Sequence, residues 1–148
     1  MSHSLTKNYI HLVFSTKDRK DLIRESDTIN VYKYMFATLR GMNSPAIRIG
    51  GTANHVHILY IQDKDQSVST VAGKLKACSS KWLKTLGPHY RLFAWQSGYA
   101  AFSVSQSGVQ SVIEYIDNQE EHHKKFSFLE ELKMFLQKYG VTYNEKNL

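Results

Sequence analysis

Ala46-Ile47-Arg48-Ile49-Gly50-Gly51 and Val56-His57-Ile58-Leu59-Tyr60-Ile61 flank a short turn around Thr52 to Asn54. Both runs are rich in β-branched residues and are bounded by turn-formers, so they predict two paired strands. Working back from this pair, Ile29, Val31, Tyr32, Met35, Phe36 and Leu39 recur at helical spacing between Glu25 and Arg40, with Gly41 as C-cap. Before that, Tyr9-Ile10-His11-Leu12-Val13-Phe14-Ser15 reads as a first strand. Working forward, Ser67 to Leu86 reads as a helix with Val68, Val71, Leu75, Cys78, Trp82 and Leu86 on one side, ended by Gly87-Pro88. Tyr99 to Ser105 is a fourth strand, Ser107 a candidate N-cap for a helix to about His123, and Phe128 to Tyr139 a last helix ended by Gly140. The order β-α-β-β-α-β followed by helices predicts an α+β, ferredoxin-like (split βαβ) fold. Its antiparallel sheet carries helices on one face, plus a C-terminal tyrosine-bearing helix. No repeat or linker interrupts residues 1–148, which read as a single domain. Such a fold hosts many activities, so the chemistry has to come from individual residues.

Composition narrows the classes. With 42% apolar and 22% charged residues the chain is neither disordered nor fibrous. It has no apolar run of membrane-spanning length and no signal-peptide pattern at Met1-Ser2-His3-Ser4-Leu5-Thr6-Lys7, so a cytoplasmic protein without membrane contact is expected. The single cysteine, Cys78, excludes an intrachain disulfide and reads as a small buried hydrophobe on a helix. A net charge of +6 suits a polyanionic partner, and equally suits a solvated basic face.

Two features carry chemistry. His55 and His57 straddle Val56 on a strand, so both imidazoles emerge on one face, as a pair of metal ligands would. The same spacing also occurs on half-exposed strands with no metal. Tyr115 and Gln119 lie one turn apart on the third helix, opposite the apolar stripe of Val109, Val112, Ile113 and Ile116. Tyr115 therefore falls off the core side, beside Gln119 and His122. Glu120-Glu121-His122-His123-Lys124-Lys125 reads equally well as a solvated helix end whose cations suit the macrodipole.

In sequence order, His11-Leu12-Val13-Phe14-Ser15-Thr16-Lys17, Asn54-His55-Val56-His57-Ile58-Leu59, Trp95-Gln96-Ser97-Gly98-Tyr99, Ala101-Phe102-Ser103-Val104-Ser105, Tyr115-Ile116-Asp117-Asn118-Gln119 and His122-His123-Lys124-Lys125 span nearly the whole chain. This series resembles the small single-tyrosine transposases of the HUH endonuclease superfamily, which include the IS200-like group and the transposases associated with repetitive extragenic palindromes. Ala100 departs from that pattern, which has glycine there. The resemblance implies His55 and His57 as metal ligands, Gln119 as a third ligand and Tyr115 as the nucleophile. It further implies cleavage and rejoining of single-stranded DNA through a 5′-phosphotyrosine at hairpin-marked element ends. Imidazole ligands on their own favour zinc; the resemblance implies Mg2+ or Mn2+.

The same resemblance implies a homodimer that shares active sites by exchanging its tyrosine helices, with Gly108 as a candidate hinge. Lys17, Arg19 and Lys20 after the first strand, and Lys74, Lys76, Lys81 and Lys84 on the second helix, are the candidate contacts to the DNA backbone. Two other readings stay open. One is a domesticated relative that nicks chromosomal palindromes; the other is a non-catalytic nucleic-acid-binding module that stacks bases on its sheet, where Tyr9, His11, Val13 and Ser15 share a face.

Overall fold

A computed structural model describes residues 4–148. The elements are β1 (Tyr9–Ser15), α1 (Thr28–Gly41), β2 (Ala46–Thr52), β3 (His55–Ile61), α2 (Val68–Lys84), β4 (Ala100–Val104), α3 (Val109–Asp117), α4 (Gln119–His122) and α5 (Phe128–Lys138). The strands form one sheet in the order β2-β3-β1-β4, each antiparallel to its neighbour. Helix α1 thus joins two strands with β3 between them, and α2 joins two strands with β1 between them. The α+β architecture with an antiparallel sheet is the one the sequence predicts, and no helix among the described residues is long and apolar enough to cross a membrane.

Side-chain alternation divides the sheet into two unlike faces. Leu12, Phe14, Val56, Ile58 and Tyr60 point to one side and pack against Val31, Met35 and Leu39 of α1 and Val71, Ala72, Leu75 and Leu83 of α2. Tyr9, His11, His55, His57 and Leu59 point to the other side, where α3, α4 and α5 cover them. On that side Tyr9, Leu59 and Ile116 form a second cluster with Val109, Val112 and Ile113, so the apolar stripe of α3 is the one its sequence marks. Phe135 and Tyr139 stack on Phe102 of β4 and fasten α5 near the opposite edge. The sheet face that a base-stacking module would keep open is buried here.

Several local expectations are corrected. Cys78 is exposed, because α2 turns Val71, Ala72, Leu75, Ser79 and Leu83 inward, and Trp95 donates its ring N–H to Ser79 Oγ at 3.0 Å. Ile29 and Leu86 are likewise exposed. Gly41 is the last residue of α1 rather than its cap, and the left-handed position that follows is Asn43, with φ 52°. Ser107 does not cap α3: the chain enters through a tight turn at Gln106–Gly108, and Ser107 Oγ lies 3.1 Å from Ser105 Oγ. The helix expected to continue to His123 breaks at Asn118 (φ −102°, ψ 18°), where Gln119 turns in to its partners on β3 and α5. Beyond Ala100, which pairs in register with Val13, β4 runs regularly.

Helix α3 reaches the sheet only because Gly50 has no side chain. A Cβ there would lie 2.7 Å from the Ile116 carbonyl oxygen and 2.8 Å from Ile116 Cγ2. Gly50→Ala is therefore expected to lift α3 and to lower stability by about 1–3 kcal/mol in denaturant unfolding. Gly41→Ala meets nothing within 4 Å and serves as the control, neutral or stabilising by up to about 1 kcal/mol. Equal midpoints in the two variants would show that the close approach is not required.

Candidate metal and nucleophile site

Val56 enters the α1–α2 core, which sends His55 and His57 through the sheet to the other face, both fully buried. Each ring is held by its outer nitrogen. His55 Nδ1 lies 2.8 Å from Asn54 Oδ1. Asn54 donates its amide nitrogen to the Arg19 carbonyl at 3.2 Å, so its oxygen is the atom that faces the ring. His55 therefore donates outward from Nδ1 and presents a lone pair inward at Nε2. His57 Nδ1 lies 2.8 Å from Nε2 of His11, its diagonal neighbour on β1. With His57 donating there, its Nε2 also points a lone pair inward.

Helices α3 to α5 bring the remaining groups. The break at Asn118 turns Gln119 fully into the interior, where its Oε1 lies 2.8 Å from His55 Nε2. Gln119 donates its amide nitrogen to Glu131 Oε2 at 3.1 Å, which fixes Oε1 as the atom facing the histidines. Glu131 Oε1 lies 2.7 Å from His57 Nε2. His123 Nε2 is 3.0 Å from Gln119 Oε1 and 3.2 Å from Glu131 Oε2. Tyr115 is half-buried; its hydroxyl donates to Glu131 Oε2 and lies 3.3 Å from His122 Nε2. His55, His57, Gln119 and Tyr115, picked out from the sequence, thus meet within one chain.

His11, His123 and Glu131 are the site residues that sequence reading missed. His123 belongs to the segment read as a solvated helix end; it is half-buried instead. Glu131 carried a signal: it sits one turn after Phe128 and one turn before Phe135, a carboxylate inside the apolar stripe of α5. A capping box between Ser127 and Glu130 starts that helix, and Phe128 packs on His55 with ring centroids 4.6 Å apart.

Ligand atoms of His55, His57, His123 and Glu131 all lie within 4.8 Å of one another, a group that could hold a metal ion. The donor set fits one. With both imidazoles protonated at Nδ1 only, His55 Nε2 faces Gln119 Oε1 and His57 Nε2 faces Glu131 Oε1, acceptor against acceptor, and a cation between them satisfies all four.

The candidate DNA-binding cations differ in their freedom. Lys17, Lys20, Lys74, Lys81 and Lys84 are exposed. Lys76 donates to the Gln96 and Gly98 carbonyls, each at 2.7 Å, and Arg19 Nη1 donates to the Leu148 carbonyl at 2.7 Å.

The family model described as "Transposase IS200 like" matches residues 4–119. No curated protein matches the chain. Among solved structures, a candidate transposase from Deinococcus radiodurans R1 is 18% identical with a TM-score of 0.63, the match covering 80% of this chain and 95% of that one. A REP-associated tyrosine transposase bound to a REP hairpin is 10% identical with a TM-score of 0.62, covering 83% of this chain and 72% of that one. At these identities the structural likeness speaks to the fold.

Burial sets the electrostatics. It lowers His11 from 6.5 to about 3, with the neighbouring His57 adding to the effect. It likewise lowers His55 from 6.5 to about 3, again with His57 next in weight. Burial on its own would raise Glu131, but the neighbouring His123 and His57, and then the hydrogen bond from Tyr115, hold it well below the usual carboxylate range. Tyr115 is pushed above its ordinary value by burial and then by its hydrogen bond to Glu131. Histidines with depressed folded pKa values bind fewer protons than in the unfolded chain, so their stabilisation is complete above 6.5 and is lost as pH falls toward about 3. The thermal midpoint of the metal-free protein should therefore drop steadily as pH is lowered from about 7 to about 5, and less steeply in His11→Gln. A midpoint flat over that window would contradict neutral buried imidazoles.

Proposed function

The chain belongs to the family of IS200-like transposases, and from that membership we propose that it cleaves and rejoins single-stranded DNA with Tyr115 as nucleophile. His55, His57 and Gln119 hold a divalent ion, Mg2+ or Mn2+. One observation carries this reading: the Tyr115 hydroxyl and His57 Nε2 touch the two oxygens of one carboxylate, that of Glu131. Nucleophile and ligand pair are thus one small bridging anion apart, which is the separation a phosphodiester requires if it is to meet both.

In the cleavage step the Tyr115 oxygen forms a bond to phosphorus and the 3′ oxygen of the preceding nucleotide leaves as a hydroxyl. A 5′-phosphotyrosine remains. Rejoining is the reverse attack by a 3′ hydroxyl, which expels the phenol oxygen, a better leaving group than an alkoxide. The bound ion supplies charge neutralisation at a phosphate oxygen. Asn54 and His11 keep the ligand nitrogens aimed inward, while the α3–α5 layer keeps water from the buried cluster.

The REP-associated relative bound to a hairpin supports a DNA hairpin as partner. Lys17, Lys20, Lys74, Lys81 and Lys84 are free to meet phosphates. We assign Lys76 and Arg19 to holding the neighbouring backbone. A homodimer that exchanges tyrosine helices is not needed to complete the site, because Tyr115 lies beside its own His57, with ring centroids 5.6 Å apart. A palindrome-nicking relative that no longer mobilises an element would use the same residues, and only the flanking DNA separates it from a mobile one.

With Mg2+ or Mn2+ and single strands from the ends of its own locus, the protein should form a covalent adduct on a denaturing gel. Tyr115→Phe should form none. His57→Ala should cleave at least about a hundredfold more slowly while still shifting a hairpin in a binding assay. An adduct that persists in Tyr115→Phe would remove the nucleophile assignment. Mixing Tyr115→Phe with His57→Ala protein should restore no cleavage; recovery would establish that subunits exchange α3.

A further inference from the structure

We propose that Glu131 is itself a ligand of the divalent ion, so that the ion fastens helix α5 to the sheet. This rests on the metal reading above and extends it to an element beyond residues 4–119, the segment that the family model matches. The first ground is charge. Glu131 is 0% exposed, and among the described residues its ion-pair partners are His55, His57, His122 and His123, with no lysine or arginine. A buried carboxylate without a permanent countercharge is costly, and a bound cation removes the cost.

The second ground is spacing. His57 Nε2 to Glu131 Oε1 is 2.7 Å, His55 Nε2 to Gln119 Oε1 is 2.8 Å, and His55 Nε2 to Glu131 Oε1 is 3.6 Å. Neighbouring ligands on a six-coordinate ion with bonds near 2.1 Å stand about 3 Å apart. Two of these separations are close to that spacing, and the third is wider but within the span of ligands on one centre.

The third ground is ligand chemistry. Two imidazoles and an amide oxygen bring no negative charge, whereas hard cations such as Mg2+ are held through carboxylates. Glu131 supplies that charge from a rigid position: Ser127 caps the first turn of α5, and Phe128 rests on the His55 ring. Its second oxygen receives the Tyr115 hydroxyl, so the same side chain that binds the ion also orients the nucleophile.

The test is Mn2+ binding to the full chain, followed by calorimetry and by electron paramagnetic resonance, for the native protein, Glu131→Gln and His57→Ala. Glu131→Gln should bind Mn2+ at least about tenfold more weakly. Its Mn2+ signal should also show an added coordinated water when isotopically labelled water is used. Mn2+ should slow amide exchange across residues 128–138 in the native protein and not in this variant. Circular dichroism without metal checks that the variant is folded; Glu131→Asp, which keeps the charge but shortens the reach, serves the same comparison if Glu131→Gln is not. Unchanged affinity in Glu131→Gln alongside lost binding in His57→Ala would overturn the Glu131 ligand and leave the metal site standing. Weaker binding with unchanged hydration would also overturn it, since Glu131 would then only position the other ligands. No Mn2+ binding by the native protein would overturn the ligand and the metal reading together.

Discussion

Placing imidazoles, an amide and a carboxylate in a buried layer between a sheet and three helices is favourable only if every polar atom finds a partner. That constraint organises this molecule. Asn54 and His11 satisfy the outer nitrogens of His55 and His57. The inner nitrogens face Gln119 Oε1 and Glu131 Oε1, brought in by α4 and α5. The remaining oxygen of Glu131 takes up Tyr115, Gln119 and two further histidines. This polar network and apolar packing both hold the C-terminal helices.

The two faces of the sheet divide the labour. The α1–α2 side is a conventional core of aliphatic and aromatic side chains, and it supplies most of the buried apolar surface. With stability carried there, the opposite face can bear polar groups that a core would not accept. A smaller apolar cluster around Tyr9, Leu59 and Ile116 anchors α3, and the bare backbone at Gly50 lets it come close enough for Gln119 to reach His55. A few tenths of an ångström at that contact therefore bear on the ligand geometry.

The reach of the sequence can be followed residue by residue. Strand alternation is a property of the local backbone, so Tyr9–Ser15, the paired histidines and their common face were legible without any partner in view. The apolar stripe of α3 was legible for the same reason. Cys78 and Ser79 are adjacent on α2, and periodicity could not choose between them, because the inward direction is set by where Trp95 lies. The break at Asn118 was equally hidden, since it depends on Gln119 finding its partners on β3 and α5.

By itself the sequence determined the order of the elements, the antiparallel α+β architecture, and the residue types for a histidine pair and a tyrosine–glutamine helix, because each depends on contacts within a few residues. Tertiary structure alone decided that α5 closes over the histidines, that Glu131 faces His57, and that Tyr115 meets the histidines of its own chain. Those outcomes depend on groups 16 to 74 residues apart in the chain. No local periodicity encodes such distances; only the packing of α3 and α5 on the sheet does.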